Sequence, residues 1–280
     1  MNFFVGFGLL TAVILGVFVI ERQPALRFRA LPFRRPFLGT DVAWFLVAGI
    51  ASAITAFVFR PQLEKLAVGP ASRVVGGLPL AARILVAVVV FDFISYTVHR
   101  GLHRSDFLWN FHKVHHSSLS LDGLATTRAH MFENFIRFLT PQFVLFLIGM
   151  PVAQVTGAVA VYAIWGVFNH SNLGIDLRWT EPIFITPRMH RRHHIPSKSQ
   201  NNFGTIFSLW DRCFGQLVAI DTAPDEHFGI PGETDPFPQT FIPAVREPII
   251  QNRQMKKDRR TACHAASHAV PNKTIGSARP

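Results

Sequence analysis

The feature that most constrains the fold of this chain is a series of apolar runs that are long enough to cross a membrane. Apolar residues make up 49% of its 280 residues, and charged residues only 16%, against the roughly 25% charged residues of a typical soluble domain. A helix needs about 20 apolar residues to cross the hydrocarbon core of a bilayer. The composition therefore argues against a soluble globular or disordered chain and predicts an integral membrane protein.

The apolar runs predict an all-α membrane protein with about four to five transmembrane or hairpin segments and a helical, histidine-rich cap on the cytoplasmic side. The first run is expected to be a membrane span rather than a secretory signal, because no basic residue precedes it and no small-residue cleavage site follows it. The last two runs are short for full spans and are separated at Met150-Pro151, so they are expected to form a helical hairpin that enters the membrane and returns. The five runs cover Asn2–Ile20, Val42–Phe59, Leu78–Val98, Phe135–Gly149 and Val152–Phe168.

The charges predict how these segments are oriented. The formal net charge is +11, which suits an anionic membrane surface better than nucleic acid, and no nucleic-acid partner is expected. Arginines follow the first run, which places that end of the helix in the cytoplasm by the positive-inside rule. With alternating crossings, the Arg100–Arg128 interval and the chain after His170 are expected on the same cytoplasmic side. These arginines are Arg22, Arg27, Arg29, Arg34 and Arg35.

Three tight groups of histidines indicate a metal site. The chain has 13 histidines, and eight of them occur as one HxxxH and two HxxHH motifs. On a helix, residues three and four apart share a face, so their imidazoles can converge on one ion or on two neighbouring ions. Surface histidines in basic loops are the alternative, but two copies of HxxHH beside HxxxH disfavour it. The eight residues are His99, His103, His112, His115, His116, His190, His193 and His194.

The residue types limit which metals can bind but do not identify one metal. Neutral imidazole suits iron, zinc, copper and nickel. Eight histidines exceed the needs of one ion and approach the needs of two. His170 is the best candidate for a ninth ligand, and His130 is the next. The sequence has no HExxH zinc-protease motif and no Glu-x-x-His motif of the soluble di-iron bundles.

Taken in order, several motifs resemble the fatty acid hydroxylase superfamily, also called the sterol desaturase family. The resemblance covers about Asp92 to Gly215, and it departs from the family's usual WDRLFGT at Cys213 and Gln216. It implies that the eight motif histidines bind a di-iron centre of two iron ions. It also implies an oxidoreductase of lipid biosynthesis, a monooxygenase or desaturase that uses O2 as co-substrate. The motifs are HRGLH, LWNFHKVHHSS, TTRAH, FNHSN, TPRMHRRHH and NNFGTIFSLWDRCFG.

With this resemblance, the chain is expected to divide into three parts. Residues 1–76 would form N-terminal transmembrane helices and residues 77–221 a fatty acid hydroxylase-like catalytic domain. Residues 222–280 contain many prolines and a basic stretch at Lys256–Arg260, and they are expected to be disordered.

The expected partners are a membrane lipid and a source of electrons. The sequence does not distinguish a sterol from a fatty acyl or sphingoid substrate, or hydroxylation from desaturation. It contains no glycine fingerprint for a flavin or nicotinamide. A separate electron carrier is therefore expected, either cytochrome b5-like or a ferredoxin.

An acidic residue in the third apolar run is expected to support the metal ligands. Asp92, Tyr96, His99 and His103 are spaced by four, three and four residues, on one face of a helix. A carboxylate inside a membrane helix is costly, so Asp92 should face the protein interior. We expect it to take part in catalysis by accepting a hydrogen bond from a ligand imidazole. A structural contact with Arg100 or Arg104 is the alternative. Further candidates for such supporting contacts are Glu133, Asn169, Asn172 and Asp211.

Two other functions remain open at the level of sequence. A membrane metal transporter or metal-binding protein would place its histidines near the middle of the bilayer, whereas these motifs lie at a membrane edge. A di-zinc lipid hydrolase would need neither O2 nor a reductant.

Overall fold

The computed structural model describes residues 3–66, 70–196, 200–218, 223, 225–230 and 237–268. Within these ranges the chain is helical, and its only β-type pairing consists of two isolated bridges. The expected all-α class is therefore confirmed. The helices are α1 (Phe3–Ile20), α2 (Leu38–Ile54), α3 (Arg60–Glu64), α4 (Pro70–Gly76), α5 (Leu80–Arg104), α6 (Asp106–His116), α7 (Met131–Leu147), α8 (Val152–His170), α9 (Pro187–His193), α10 (Leu209–Cys213) and α11 (Phe241–His268).

Three of the described helices are long and apolar enough to cross a membrane. They are Leu38–Glu64, Leu80–Arg104 and Val152–His170, and the apolar helix Phe4–Ile20 is shorter. Helices α2 and α3 belong to the first of these, joined through a π-helical turn at Thr55–Phe59. Helix α8 continues to His170 and reaches spanning length, so the expected hairpin pairs one span-length helix with the shorter α7. The finding supports a membrane protein, and a total of four to five segments stays a prediction.

The long helices alternate in direction, so that the histidine-bearing segments meet at one end of the bundle. Helix α5 packs against α6, α7 and α8. At the opposite end, the α7–α8 turn contacts α4. Gly149 has a positive φ of 78°, and a Cβ at this position would lie 2.4 Å from the Cα of Ser72. Only glycine fits this turn without strain.

A buried network of ion pairs ties together the histidine-side ends of the helices. Arg35 donates to Asp122 from Nε at 2.7 Å and to Asp41 at 2.6 Å. Burial opposes ionisation of Asp122, but the guanidinium groups of Arg35 and Arg22 nevertheless lower its pKa. Two of the arginines that marked the cytoplasmic surface in the sequence therefore serve as buried ion-pair partners. The network contains Glu21, Arg22, Arg35, Asp41, Asp122 and Arg128.

The expectation of a disordered C-terminal part is wrong for Phe241–His268, which form the 28-residue helix α11. Its first turns bury Ala244 in a cluster with Trp44 and Val114, and the helix continues along α6. Pro243 is tolerated because the first backbone N–H groups of a helix have no intrahelical acceptor. Residues 231–236, with two of the prolines that suggested disorder, lie outside the described residues. The three-part division of the chain stays a prediction.

Candidate metal centre

Nine buried histidines form two compact groups at the end of the helix bundle. In each group the potential ligand atoms all lie within 4.8 Å of one another. The structure thus brings together all eight motif histidines and adds His170 as the ninth. The first group is His99, His103, His112, His116 and His193, and the second is His115, His170, His190 and His194.

Each HxxHH motif contributes to both groups, because adjacent residues on a helix point in different directions. On α6, His112 and His116 belong to the first group, while His115 faces the second. At α9, His193 belongs to the first group, whereas its neighbour His194 belongs to the second. The two groups are therefore neighbours that share the same two helices.

The spacing of the ring nitrogens fits metal ligation. The Nε2 atom of His112 lies 3.1 Å from that of His99 and 3.0 Å from that of His103. The Nε2 atoms of His193 and His99 are 3.1 Å apart. Two nitrogens held at about 2.0–2.1 Å from one ion would be about 2.8–3.4 Å apart at octahedral or tetrahedral angles. A neutral imidazole has only one N–H, so hydrogen bonds alone cannot satisfy this convergence of Nε2 atoms.

The second group has the same spacing. The Nε2 atom of His170 lies 3.0 Å from that of His115 and 3.1 Å from that of His190, and the His194–His190 separation is 3.2 Å. The donor sets therefore fit two ions rather than one.

The opposite ring nitrogens are held by the protein. The Nδ1 atoms of several histidines lie within hydrogen-bonding distance of backbone carbonyl groups. A bond there fixes the tautomer that leaves Nε2 free for a metal. His116 differs, because both of its nitrogens are buried without a hydrogen-bond partner among the described residues. A metal ion bound to one of these nitrogens would supply the partner that the His116 ring lacks. The carbonyl contacts are His99 to Phe203 (2.8 Å), His115 to Arg128 (3.1 Å), His170 to Gly166 (2.7 Å) and His193 to Asn201 (2.7 Å).

Burial also keeps these histidines in the form that binds metal. It lowers the pKa of His193 to about 3. It lowers the pKa of His115, His116, His190 and His194 well below the ordinary value, and neighbouring histidines add to the effect. All five are therefore neutral at pH 7, as ligation requires.

A carboxylate–arginine pair contacts the first group at Nδ1 of His112, the ring nitrogen opposite the converging Nε2 atoms. Glu133 is fully buried, and its Oε1 accepts a hydrogen bond from Nδ1 of His112 at 2.8 Å. The same oxygen accepts from Arg137 at 3.3 Å, and Arg137 also donates to the hydroxyl oxygen of Tyr162 at 3.2 Å. Glu133 was a candidate from the sequence, but Arg137 was missed. Its spacing of four residues from Glu133 was the available signal.

Asp92 does not contact a ligand imidazole, so the role assigned to it from the sequence is wrong. Its carboxylate accepts hydrogen bonds from the backbone N–H groups of Ile206 and Phe207, at 2.9 and 3.0 Å, and from the indole N–H of Trp210 at 2.9 Å. Asp92 shares a helix face with His99, but seven residues separate them by about 10 Å along the axis. Asp92 therefore holds the 206–210 segment.

Asp211 holds the neighbouring part of the same segment. It accepts from the backbone N–H groups of Phe203 and Gly204 at 2.9 and 2.8 Å. Because the carbonyl group of Phe203 lies against Nδ1 of His99, Asp211 supports this imidazole through the backbone.

His130 lies outside both groups, so the structure does not support it as a metal ligand. It precedes α7, where its Nδ1 accepts a hydrogen bond from the backbone N–H of Phe132 at 3.1 Å. Its ring packs on Phe111 with a centroid separation of 4.9 Å, on the side of α6 that faces Trp44. The remaining candidates, Asn169 and Asn172, bond to backbone groups rather than to the ligand rings.

A cavity of about 200 Å³ lies between α1, α2, α7 and α8. Most of its wall is apolar, with residues such as Leu10, Ala51 and Val159. Arg137 and Tyr162 line it as well. Since Arg137 holds Glu133, the cavity is linked to His112 through two side chains.

The sequence profile of the fatty acid hydroxylase family matches residues 84–216, which include all nine grouped histidines. This segment, just under half of the chain, is therefore similar to the fatty acid hydroxylase family. The resemblance inferred from the motifs is thereby confirmed.

Three relatives show the range of this family. Ornithine lipid hydroxylase OlsE of Rhizobium tropici is 30% identical over 55% of this chain and 47% of its own length. Methylsterol monooxygenase 1-3 of Arabidopsis thaliana is 26% identical over 52% of this chain and 54% of its own. Alkylglycerol monooxygenase of Danio rerio is 32% identical over 52% and 31%, respectively. The chain thus spans about half of these relatives or less. No solved structure matches it significantly.

Proposed function

We propose that the chain is a membrane-bound, O2-dependent di-iron oxygenase that hydroxylates or desaturates an unactivated C–H bond of a lipid. The observation that carries this proposal is the convergence of nine buried imidazoles into two neighbouring donor sets. The family match supports the same activity. The names of the three relatives all describe oxidation of lipids, which supports a lipid as the substrate class.

The first and second histidine groups would each hold one iron ion. Iron bound there would supply the activation of O2 and the oxidising power that cleavage of a C–H bond requires. The protein's own contribution is to hold the imidazoles neutral, fix their tautomers through Glu133 and the backbone carbonyl groups, and exclude bulk water by burial.

Electrons must come from another molecule. Hydroxylation places one oxygen atom of O2 in the product and reduces the other to water, which consumes two electrons and two protons. Desaturation reduces both atoms to water with two electrons and two protons from outside and two hydrogens from the lipid. We assign electron delivery to a separate carrier, cytochrome b5-like or a ferredoxin.

We assign the cavity between α1, α2, α7 and α8 to the apolar chain of the lipid. Its walls come from membrane-capable helices, and Arg137 lies between it and Glu133. This arrangement supports delivery of the substrate within the bilayer, beside the first histidine group.

We also assign the histidine end of the bundle to the cytoplasmic side. Helix α11 lies at this end and carries the exposed residues Arg253, Lys256 and Lys257. Fewer cations, among them Lys65 and Arg73, follow the opposite end of the Leu38–Glu64 helix. This imbalance is the one expected from the positive-inside rule.

No observation favours the two alternative functions. His103 and His170 lie at or next to the ends of their helices, whereas a transporter would place its ligands near the midplane. A hydrolase would form its product without O2.

The test is mass spectrometry of lipids from cells that express the chain under ¹⁸O2. We expect a lipid that gains one labelled oxygen atom, or one that loses two hydrogens, and no product under anaerobic conditions. His115→Ala and His193→Ala should abolish the product. His227→Ala should not, because His227 is exposed outside both groups. Product that persists anaerobically, or in correctly inserted His115→Ala protein, would overturn the proposal.

A further inference from the structure

Helix α11 connects the histidine-side ends of two membrane-capable helices. At its start, the ring of Phe241 packs edge-on against Trp44, with a centroid separation of 4.9 Å. Trp44 lies six residues, or about 9 Å, into the Leu38–Glu64 helix. Further along, Asn252 donates to the carbonyl oxygen of Phe107, and Arg259 donates to Asp106. Asp106 follows the end of α5 by two residues. Helix α11 therefore runs across the histidine-side ends of these two helices rather than away from the bundle.

The side of α11 that faces the protein is clear from its contacts. Ala244 and Pro248 are buried, and Asn252 bonds to the side chain of Asn110 on α6 at 2.8 Å. Their spacing of four residues places them along one face of the helix.

The exposed side of α11 is divided into two different strips. One strip repeats at intervals of four and three residues and mixes isoleucines with cations. Ile242 and Ile249 in this strip are 61% and 41% exposed, and the adjoining Ile250 is 52% exposed. The strip consists of Ile242, Arg246, Ile249, Arg253, Lys256 and Arg260, all of them exposed.

The other strip contains both acidic residues of α11. Its members, half-buried or exposed, are Glu247, Ile250, Gln254, Lys257, Asp258 and Thr261. Gln254 donates to Asp258 at 2.7 Å within this strip. The first strip therefore contains only apolar and basic residues, whereas both acidic residues of α11 lie in the other strip.

We propose that α11 is an interfacial helix whose isoleucine–cation strip binds anionic phospholipid headgroups at the histidine end of the bundle. A helix surface that is exposed only to water gains no stability from exposed isoleucines aligned with cations. At a bilayer surface, isoleucine enters the boundary of the acyl chains while lysine and arginine reach the phosphates. The strip with Glu247 and Asp258 would then face water. Because α11 packs on α6, lipid binding would also hold in place the helix that carries His112, His115 and His116.

An acidic protein could also be attracted by the cations, but the isoleucines favour the membrane. They lie between the cations rather than in a separate patch, and the contact with Trp44 holds the first turns against the membrane-capable Leu38–Glu64 helix. The proposal concerns binding and is independent of the oxygenase activity.

The experiment places a nitroxide label on either strip of the full chain in nanodiscs. The labels are attached at Ile249→Cys or, as the matched control on the same helix, at Gln254→Cys, with Cys213→Ser and Cys263→Ser in both. The nanodiscs contain phosphatidylcholine alone or mixed with phosphatidylglycerol. Accessibility to O2 reports contact with lipid, and accessibility to a water-soluble nickel complex reports exposure to water.

We expect the label at position 249 to be accessible to O2 and the label at position 254 to be accessible to the nickel complex. This contrast in accessibility between the two labels should be larger when phosphatidylglycerol is present. Neutralising a cation, as in Arg253→Gln or Lys256→Gln, should weaken contact with the anionic surface by roughly five-fold. The contrast should also fall at high salt.

Equal exposure of both labels to the nickel complex would overturn the proposal. So would a contrast that does not change with phosphatidylglycerol or with the charge-neutralising substitutions. Shielding of position 249 that requires an added acidic protein would also overturn it and would identify the strip as a protein-docking surface. Far-ultraviolet circular dichroism of each variant in detergent reports whether the fold is retained, independently of lipid contact.

Discussion

The glutamate behind His112 should control how tightly the first histidine group binds its ion. Glu133 is fully buried, and its Oε1 accepts from both His112 and Arg137, at 2.8 and 3.3 Å. Glu133→Gln keeps the size of the side chain but removes the negative charge that orients His112 and balances Arg137. Loss of such a partner typically reduces metal affinity or activity by about 10- to 100-fold, which corresponds to about 1.4–2.7 kcal/mol.

The assay is competition for iron with a chelator, combined with lipid turnover per bound iron. We expect Glu133→Gln to lose one of two ions at a lower chelator concentration than the wild type, because the second group does not contact Glu133. Glu133→Asp should recover part of the affinity. Glu64→Gln is the matched control, since Glu64 lies at the far end of the Leu38–Glu64 helix. The reasoning fails if Glu133→Gln retains both irons within about two-fold of the wild type and turns over normally.

Three further predictions concern the scaffold. Asp92→Asn should lower the melting temperature, because one amide oxygen cannot replace a carboxylate that accepts from three donors. Each donor left without an acceptor should cost about 1–3 kcal/mol of stability. Loss of activity without loss of stability would instead support a catalytic role for Asp92. Burial and the charge of Asp122 raise the pKa of Glu21 to about 7, so its contribution to stability is fully present below about pH 4.5 and is lost as the pH rises through 7. This loss should amount to up to about 3 kcal/mol and be absent in Glu21→Gln; identical pH profiles for the melting temperatures of both proteins would contradict it. The backbone amides of Phe241–Asn252 should exchange slowly with deuterium if α11 is folded, whereas exchange as fast as in an unfolded chain would restore the prediction of disorder.

The candidate metal ligands could be predicted because their pattern is local. Spacings of three and four residues on a helix fix which side chains share a face, and this holds for the motifs at His99, His112 and His190 wherever the helices pack. The division into two groups depends on tertiary packing. His99 and His193 are 94 residues apart and meet only because α5 and α9 converge. No local pattern specifies such a contact.

The errors have equally specific causes. Asp92 shares a helix face with the ligands, but a shared face does not give proximity when seven residues intervene. The basic residues after the first apolar run were predicted to be surface charges. Arg22 and Arg35 are instead buried, and both pair with Asp122, which is distant in the sequence. In the C-terminal part, the number of prolines obscured the helical periodicity of α11, which becomes clear only from its packing on α6.

The most direct test of the central claim is the ratio of iron to protein in the purified chain, measured by elemental analysis after reconstitution with ferrous iron in nanodiscs. The account predicts a ratio close to two for the wild type and for His227→Ala. It predicts a ratio close to one for His116→Ala, whose ring belongs to the first group alone. A wild-type ratio of one or less at saturating iron, or an unchanged ratio in His116→Ala, would contradict the assignment of two iron sites to the two histidine groups.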